Sequence, residues 1–237
     1  MKATTENLIA RVIMPRYSER LARANLYALV RSWSRAHTGM PVFSTREDLW
    51  RHAVEQEALE GPIDYLEFGV FTGDSIRCWA NMNTDPESRF FGLDSFLGLP
   101  EDWGSAFPTG SFSTGGQIPQ IRDSRVRFVK GWYQDTLPAF LATFQSRHPL
   151  VVHLDSDVYT STLFCLTQID HLFNTKRGVL LFDEFGGTPE FSAFRDYSRS
   201  FRRKFQVLGG VRWPQDRTVF GQVAFRLPAS ATGESFQ

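Results

Sequence analysis

The chain has 237 residues, and its 26 basic and 26 acidic side chains give a formal net charge of zero. This length suits one α/β domain better than two, and the balanced charge argues against a dedicated nucleic-acid binder, which usually carries a basic excess. Two cysteines outside any CxxC pair, no recognisable leader and no apolar run long enough to span a bilayer predict a cytoplasmic protein that does not enter a membrane.

The first sixty residues predict helices that lie outside the main sheet. Apolar residues recur at helical spacing over residues 6–37, with arginines between them. A second helix, residues 47–59, follows a capping signal at Ser44 and precedes Gly61, a plausible C-terminal cap. We expect residues 1–60 to form either a lid over the functional site or a contact surface in a homodimer, and the sequence does not separate these two roles.

From residue 61 onward, strand and helix patterns alternate along the chain. The predicted strands are residues 63–68, 89–93, 126–130, 150–154, 178–182 and 219–227, and the predicted helices are residues 74–81, 136–145, 161–173 and 190–205. This alternation predicts an α/β fold with a doubly wound, mostly parallel sheet of seven strands over residues 61–228. The strand at 219–227 is expected to be antiparallel because its residues alternate, and residues 229–237 are expected to form a flexible tail.

The connection over residues 95–125 is much longer than an ordinary link between strands. It contains Trp103, Phe107 and Phe112 together with several glycines. Connections of this length are typical of lids and binding loops. A surface loop that packs on itself is an equally good interpretation.

The first glycine-containing turn lies where a ligand is expected, because open α/β sheets bind ligands outside the carboxyl ends of their strands. Gly69 and Gly73 allow a tight turn and a close approach of the backbone. The helix that follows offers free N–H groups, which suit the methionine carboxylate of S-adenosylmethionine. Glu67 can face the amino group of that methionine, and Thr72 and Ser75 complete the predicted cofactor segment, although a structural glycine turn is the simpler alternative.

Two further strand ends supply candidate cofactor contacts. Asp94, with Ser95 beside it, follows the second strand, where a carboxylate can accept both hydroxyls of a ribose. Trp132 follows the third strand and can lie against an adenine ring. The alternatives are that the acid caps a turn and that the tryptophan belongs to the core.

Four carboxylates follow two strands that are expected to be neighbours. Asp155 and Asp157 come after the fourth strand, and Asp183 and Glu184 come after the fifth. Ionising several carboxylates at one place costs free energy unless a positive group is nearby, and Mg²⁺ or Mn²⁺ prefers such oxygen ligands. An ion there would lower the pKa of a substrate hydroxyl, and a neighbouring carboxylate could then take the proton. The alternative is that single acids merely cap the helices that follow.

Five strings of the sequence resemble the macrocin O-methyltransferase family, whose members methylate sugar hydroxyls on macrolide and aminocoumarin antibiotics. The strings are residues 67–73, 93–100, 131–138, 154–162 and 182–185. The resemblance implies a Rossmann-like class I fold, binding of S-adenosylmethionine, Mg²⁺ held by Asp155, Asp183 and Glu184, and Asp157 as the general base beside the catalytic Asp155. The family usually has an aspartate where this chain has Glu184.

These observations predict an enzyme of antibiotic biosynthesis: a metal-dependent O-methyltransferase whose acceptor is a small molecule with a hydroxyl group on a sugar or a glycosylated natural product. A phenol or catechol acceptor would require the same cofactor and metal. A nicotinamide-dependent oxidoreductase would have no use for the acid cluster, and the missing Gly-x-Gly-x-x-Gly pattern argues against it. A module that binds a cofactor without catalysis is the fourth interpretation.

Overall fold

The computed structural model describes residues 14–174 and 178–228 of the chain. Its helices are α1 (Met14–Ala36), α2 (Arg46–Glu57), α3 (Asp74–Met82), α4 (Tyr133–Thr143), α5 (Tyr159–Ile169) and α6 (Pro189–Ser200), with short 3-10 turns at Asp170–Asn174 and Phe185–Gly187. Its strands are β1 (Val42–Phe43), β2 (Asp64–Phe68), β3 (Arg89–Asp94), β4 (Val126–Lys130), β5 (Leu150–Leu154), β6 (Gly178–Phe182), β7 (Gln206–Arg212) and β8 (Phe220–Leu227).

The eight strands of the described residues form one sheet in the order β1-β7-β8-β6-β5-β2-β3-β4. Strand β8 runs antiparallel to both of its neighbours, β6 and β7, and the remaining pairs are parallel. The predicted α/β class, the mostly parallel sheet and the single antiparallel strand are therefore confirmed. The sheet has one strand more than the seven expected, and the sequence had located six of them. The proposed tail at residues 229–237 lies outside the described residues.

Helices cover both faces of the sheet, which is why its central strands are apolar along their whole length. Strands β2, β5 and β6 are buried at every position. Leu66 and Val152 face one core with α1, α4, α5 and α6, whereas Tyr65 and Val151 face a second core with α2 and α3. Alternate side chains of a strand point to opposite faces, so a doubly covered strand needs a continuous run of apolar residues.

Two strands were not predicted, because one is very short and the other contains two glycines. Strand β1 has only two residues. In β7, Gly209 and Gly210 weaken the sequence pattern of a strand. The packing nevertheless requires a residue without a side chain at each of these two positions. An added Cβ would lie 2.8 Å from the Phe43 ring at Gly209 and 2.6 Å from the Met40 methyl carbon at Gly210. Residues that favour a turn by composition therefore pair as a strand.

The predicted boundaries of the second helix were wrong at both ends. The N-terminal cap is Thr45 rather than Ser44, and its side chain accepts a hydrogen bond from the backbone N–H of Asp48. The helix ends at Ala58, which adopts a left-handed conformation with φ 50°, so the predicted cap at Gly61 lies beyond the end. The shift brings Arg46 to the first position of α2, beside the carboxyl ends of the parallel strands.

The amino-terminal helix packs against the carboxyl-terminal strands. Trp33 of α1 contacts the Phe185 ring edge-on, with 4.8 Å between ring centroids, and Tyr27 and Arg31 both hydrogen bond to Asp216. Residues 1–13, which include the first part of the predicted helix 6–37, lie outside the described residues. None of the helices within residues 14–174 and 178–228 has the length and apolar character that crossing a membrane requires.

Candidate active site

The candidate site lies where the order of the parallel strands reverses. Strand β2 pairs with β3 on one side and with β5 on the other, and β5 pairs in turn with β6. Phe68, Leu154 and Phe182 therefore end three adjacent parallel strands, because Phe68 is in register with Leu154 and Leu154 with Phe182. The residues that follow them emerge together at one edge, which is the usual ligand position in an open α/β sheet.

A cavity of about 250 Å³ opens at this edge. It is lined by turns that follow β2, β3, β4, β5 and β6, so five segments distant in sequence meet around one volume. The residues that were predicted for the site and line this cavity are Gly69, Asp94, Ser95, Trp132, Asp155, Asp157 and Glu184. Glu67, Thr72, Gly73, Ser75 and Asp183 were also predicted and do not line it.

Gly69 joins the two halves of the site through a backbone contact that excludes any larger residue. Its φ is +94°, and an added Cβ would lie 1.8 Å from the carbonyl oxygen of Asp155. The turn after β2 can therefore approach the turn after β5 only if residue 69 has no side chain. The backbone N–H of Asp155 completes the contact by donating to the carbonyl of Phe68 at 2.9 Å.

The rest of the glycine turn leads into α3. Gly73, with φ 79°, is the N-terminal cap of α3 and contributes no side-chain hydrogen bond to it. The first N–H groups of α3 therefore keep their capacity to bind an anion. Thr72 is exposed and donates its hydroxyl to Asp74 at 2.9 Å, whereas Ser75 is buried in the first turn of α3.

Asp94 connects the turns after β2 and β3. One carboxylate oxygen accepts the N–H groups of Val70 and Phe71, at 2.8 and 3.0 Å, and the other accepts the N–H of Phe96 at 2.7 Å. A carboxylate offers about four lone-pair positions, so three of them already serve the protein itself. Asp94 thus shapes the cavity wall and keeps limited capacity for a ligand hydroxyl.

Glu67 lies beneath the cavity in a buried polar chain. Tyr65 donates its hydroxyl to Glu67 at 2.5 Å, and the Tyr65 oxygen lies 2.8 Å from Nδ1 of His153. Burial raises the pKa of Glu67 to about 8, although the Tyr65 hydrogen bond acts in the opposite direction. Its buried Oε1 has no partner among the described residues. This orphaned oxygen leaves one acceptor for a positively charged donor.

The long connection over residues 95–125 is both a self-packed loop and a wall of the cavity. Leu99, Trp103 and Phe112 line the cavity together with Trp132, which also precedes α4 as its cap residue. Within the loop, Trp103 stacks on Phe107 with 5.0 Å between ring centroids. The two interpretations that the sequence left open are therefore compatible, because the loop folds on itself and still faces the site.

Three acids of the cluster have raised pKa values. Burial, followed by the charges of Asp183 and Asp157, raises the pKa of Asp155 well above its ordinary value. Burial, Asp183 and Asp94 raise the pKa of Asp157 to about 7, and burial, Asp183 and Asp157 raise that of Glu184 to about 8. These shifts mean that negative charge at the cavity floor is unfavourable unless a positive group is present.

Asp183 differs from its neighbours because His153 and Arg46 lie beside its carboxylate. Burial alone would raise the pKa of Asp183, but His153 and Arg46 outweigh burial and lower it. Arg46 donates to one oxygen of Asp183 at 2.9 Å, and Gln222 donates to the other at 2.8 Å. The Arg46 guanidinium also lies over the Trp50 ring, 5.2 Å from its centroid. Arg46 is thus the cation already present in the acid cluster.

The donor chemistry of the cluster fits a hard divalent cation, but the side chains are not arranged as a finished ligand set. Asp155 and Glu184 are carboxylates whose raised pKa values a cation would relieve. Asp183 faces Arg46 and Gln222 instead. In the part of the chain that the structure describes, no three His, Cys, Asp or Glu side chains converge closely enough to hold an ion.

Sequence reasoning missed three residues of this site. An arginine at the first position of a helix opposes the helix dipole, and this signal could have identified Arg46. His153 was interpreted as a packed strand residue; it is fully buried, but its Nε2 also lies 3.7 Å from Asp183. Glu190 is a buried acid whose carboxylate accepts the backbone N–H of Glu184 at 3.0 Å. An acid in the first turn of a helix is ordinary, so no pattern identified Glu190.

A second cavity of about 650 Å³ adjoins the first. It lies between the segment that joins β1 to α2 and the turn that joins β7 to β8, and Glu184 lines both cavities. Arg46 and Asp183 form part of its wall. The acids after β5 and β6 therefore lie between the two cavities, since Glu184 lines both of them.

Comparison with known proteins supports the resemblance inferred from the sequence. A family model described as Macrocin-O-methyltransferase (TylF) matches residues 117–215, which contain three of the five strings. A relative from Streptomyces olivaceus, 8-demethyl-8-(2,3-dimethoxy-alpha-L-rhamnosyl)-tetracenomycin-C 4'-O-methyltransferase, is 27% identical over 201 residues, covering 76% of this chain and 73% of the relative. The resemblance to this family, and to O-methyltransferases as a class of enzyme, is confirmed.

Solved structures show the same fold. The O-methyltransferase NovP superposes with a TM-score of 0.51 at 22% identity, covering 77% of this chain and 79% of its own. An O-methyltransferase from Bacillus cereus, solved in complex with SAH, has a TM-score of 0.50 at 14% identity and covers 95% of this chain and 97% of its own. At these identities the likeness establishes the Rossmann-like architecture alone.

Replacing Arg46 tests whether it stabilises the acid cluster. We expect Arg46→Met to lower the free energy of unfolding by about 3 kcal/mol, because the buried Asp183 would lose its cation. Arg51→Met on the same helix is the matched control, since its ion pair with Asp48 is exposed and should contribute less than about 1 kcal/mol. Urea unfolding at neutral pH measures both variants, and equal losses would contradict the role given to Arg46.

Proposed function

We propose that this chain transfers the methyl group of S-adenosylmethionine to a hydroxyl of a sugar or a glycosylated natural product. One observation carries the proposal: the glycine turn after β2, the ends of β3 and β4 and three carboxylates line a single cavity at the switch point of the sheet. The family match and the Streptomyces olivaceus relative support the same chemistry.

The cofactor is proposed to occupy the cavity of about 250 Å³. Its methionine end would extend beyond the cavity lining, with the carboxylate at the free N–H groups of the start of α3 and the positively charged amino group near the carboxylate of Glu67. Trp132 offers an aromatic surface for the adenine. Asp94 retains acceptor capacity for one ribose hydroxyl after its three backbone hydrogen bonds.

The acceptor is proposed to enter from the second cavity, which reaches the acid cluster at Glu184. Asp157 takes the proton from the acceptor hydroxyl, and the freed oxygen lone pair forms a bond to the methyl carbon. The bond between that carbon and sulfur breaks, its electron pair stays on sulfur, and S-adenosylhomocysteine leaves. The protein contributes mainly by holding oxygen, carbon and sulfur in line.

A divalent cation is also part of the proposal. Asp155, Asp183 and Glu184 would hold Mg²⁺ or Mn²⁺, and the ion would supply Lewis-acid stabilisation of the acceptor oxygen. The raised pKa values of Asp155 and Glu184 support a positive charge there. Asp183 would need to exchange its contact with Arg46 for the ion, because that carboxylate is already paired.

A sugar acceptor is favoured over a phenol or catechol by one observation outside the chain itself. The Streptomyces olivaceus relative is named for methylation at the 4' position of a rhamnosyl compound. The acid cluster gives no reason to prefer a nicotinamide-dependent oxidoreductase, for which four adjoining carboxylates would have no role.

Gly69 provides the test of cofactor binding. We expect Gly69→Ala to weaken binding of S-adenosylhomocysteine at least about tenfold, because the new methyl group separates the turns after β2 and β5. Gly61→Ala is the control, since nothing lies within 4 Å of its Cβ position. Isothermal titration calorimetry gives the affinity, and near-UV circular dichroism verifies that each variant is folded. Unchanged affinity in Gly69→Ala would place the cofactor elsewhere.

Asp157 provides the test of proton transfer. We expect Asp157→Asn to reduce methyl transfer by about 100-fold or more, because an amide cannot take the hydroxyl proton. Asparagine tolerates the left-handed backbone of residue 157, where φ is 61°, so the fold and the affinity for S-adenosylhomocysteine should persist. Mass spectrometry of a glycoside acceptor measures transfer, with Glu60→Gln at an exposed position as the control. Full activity in Asp157→Asn would exclude it as the base.

Removal of metal provides a separate test. We expect EDTA to lower turnover about tenfold or more, and Mg²⁺ or Mn²⁺ to restore it. The affinity for S-adenosylhomocysteine in EDTA should stay the same, because none of the residues proposed to contact the cofactor is a proposed metal ligand. Undiminished turnover in EDTA would remove the cation from the proposal and leave the methyl transfer itself standing.

A further inference from the structure

The second cavity is lined by both acidic and basic side chains. The buried Asp183 and the partly buried Glu184 line it after β6, whereas Arg212 ends β7 and the exposed Arg217 belongs to the turn that follows. Its volume of about 650 Å³ is that of an ordinary small-molecule site. A ligand in this cavity can therefore meet both the acids that follow β6 and the arginines at and after the end of β7.

Arg212 and Arg217 have no acidic partner among the residues that the structure describes. Within residues 14–174 and 178–228 neither of them forms an ion pair, whereas Arg46 of the same cavity is paired with Asp183. The acid between them in sequence, Asp216, turns away and hydrogen bonds to Tyr27 and Arg31 of α1. The uncompensated positive charge of the cavity thus belongs to Arg212 and Arg217.

Packing holds Arg212 in position for a ligand. Its guanidinium lies over the Phe220 ring, 3.8 Å from the centroid, and its one hydrogen bond to a described residue, donated to the Thr218 carbonyl, is long at 3.5 Å. Most of its N–H donors therefore remain available, and the fork of a guanidinium matches the oxygens of a phosphate. Stacking on an aromatic ring lowers the entropy that would otherwise be lost when such a side chain binds.

Trp213, next to Arg212 in sequence, adds an aromatic surface to the same cavity. Its indole packs closely on the backbone after β6, because an added Cβ at Gly186 would lie 2.0 Å from the indole ring. The ring is half-buried and lines the second cavity. A fixed aromatic ring beside two arginines is the chemistry that recognises a sugar or a nucleobase attached to a phosphate.

We propose that the acceptor is a sugar linked to a nucleoside diphosphate, and that Arg212 and Arg217 bind its phosphates. The inference rests on the proposed function and makes its substrate class specific. With the phosphates held by the two arginines, the sugar can extend towards Glu184, which lines both cavities. The sugar hydroxyl is thereby directed towards Asp157 and the methyl donor.

Binding of nucleoside diphosphates tests the inference without turnover. The protein is saturated with S-adenosylhomocysteine, so that the cofactor site is filled, and EDTA prevents any metal bridge. Isothermal titration then compares thymidine diphosphate and uridine diphosphate with neutral thymidine and uridine. We expect the diphosphates to bind at least about tenfold more tightly than the nucleosides, with an affinity that falls as salt is added.

The variants for this test are Arg212→Gln, Arg217→Gln and the double variant. Each single change should weaken diphosphate binding about tenfold, and Arg212→Lys should restore part of the loss. Arg199→Gln, at an exposed position near the end of α6, is the control and should bind like the wild type. Binding of S-adenosylhomocysteine should be the same in every variant.

Any of three results would overturn this inference and leave the proposed function standing. The first is wild-type protein that binds S-adenosylhomocysteine but no diphosphate, and the second is a double variant that binds diphosphate as well as the wild type does. Equal affinity for thymidine and thymidine diphosphate would also overturn it, because the arginines would then contribute nothing. Failure of the wild type to bind S-adenosylhomocysteine would instead contradict the proposed function. The two failures are therefore distinguishable in one set of titrations.

Discussion

The ion pair between Arg46 and Asp183 is the interaction on which the candidate site depends. Parallel strands bring the acids after β5 and β6 to one edge, and each acid there raises the cost of ionising the next. Arg46 supplies a positive charge from outside the sheet, and its pairing ties the start of α2 to the end of β6. The amino-terminal segment is thus part of the site's electrostatics as well as of its packing.

The architecture was predictable because its central strands are apolar along their whole length, and such strands require helices on both faces of the sheet. Apolar runs such as residues 150–154 and 178–182 matched their observed strands residue for residue, since a strand buried on both faces cannot contain alternating polar residues. The edge of the sheet was less predictable. Strand β7 depends on the fit of Gly209 and Gly210 against Phe43 and Met40, and such tertiary fit leaves no periodic signal in the sequence.

The candidate site residues that follow strands could be predicted from the sequence, whereas those on other elements could not. Asp94, Asp155 and Glu184 line the cavity as their positions after strands suggested, because topology alone places strand ends together. Arg46 comes from another element, and its pairing with an acid 137 positions away follows only from the folded arrangement. Sequence also could not show that the carboxylate of Asp94 is largely taken up by backbone N–H groups.

The loop after β3 is held by its own backbone. Leu99 and Ser111 are joined by a hydrogen bond of 2.9 Å, Gly110 donates back to Leu99 at the same distance, and Gly116 donates to Phe96 at 2.8 Å. The conformational entropy of this long segment is therefore lost when the chain folds, not when a ligand arrives. A small molecule that enters beneath it meets a wall that is already shaped, and its affinity is not reduced by the cost of ordering that wall.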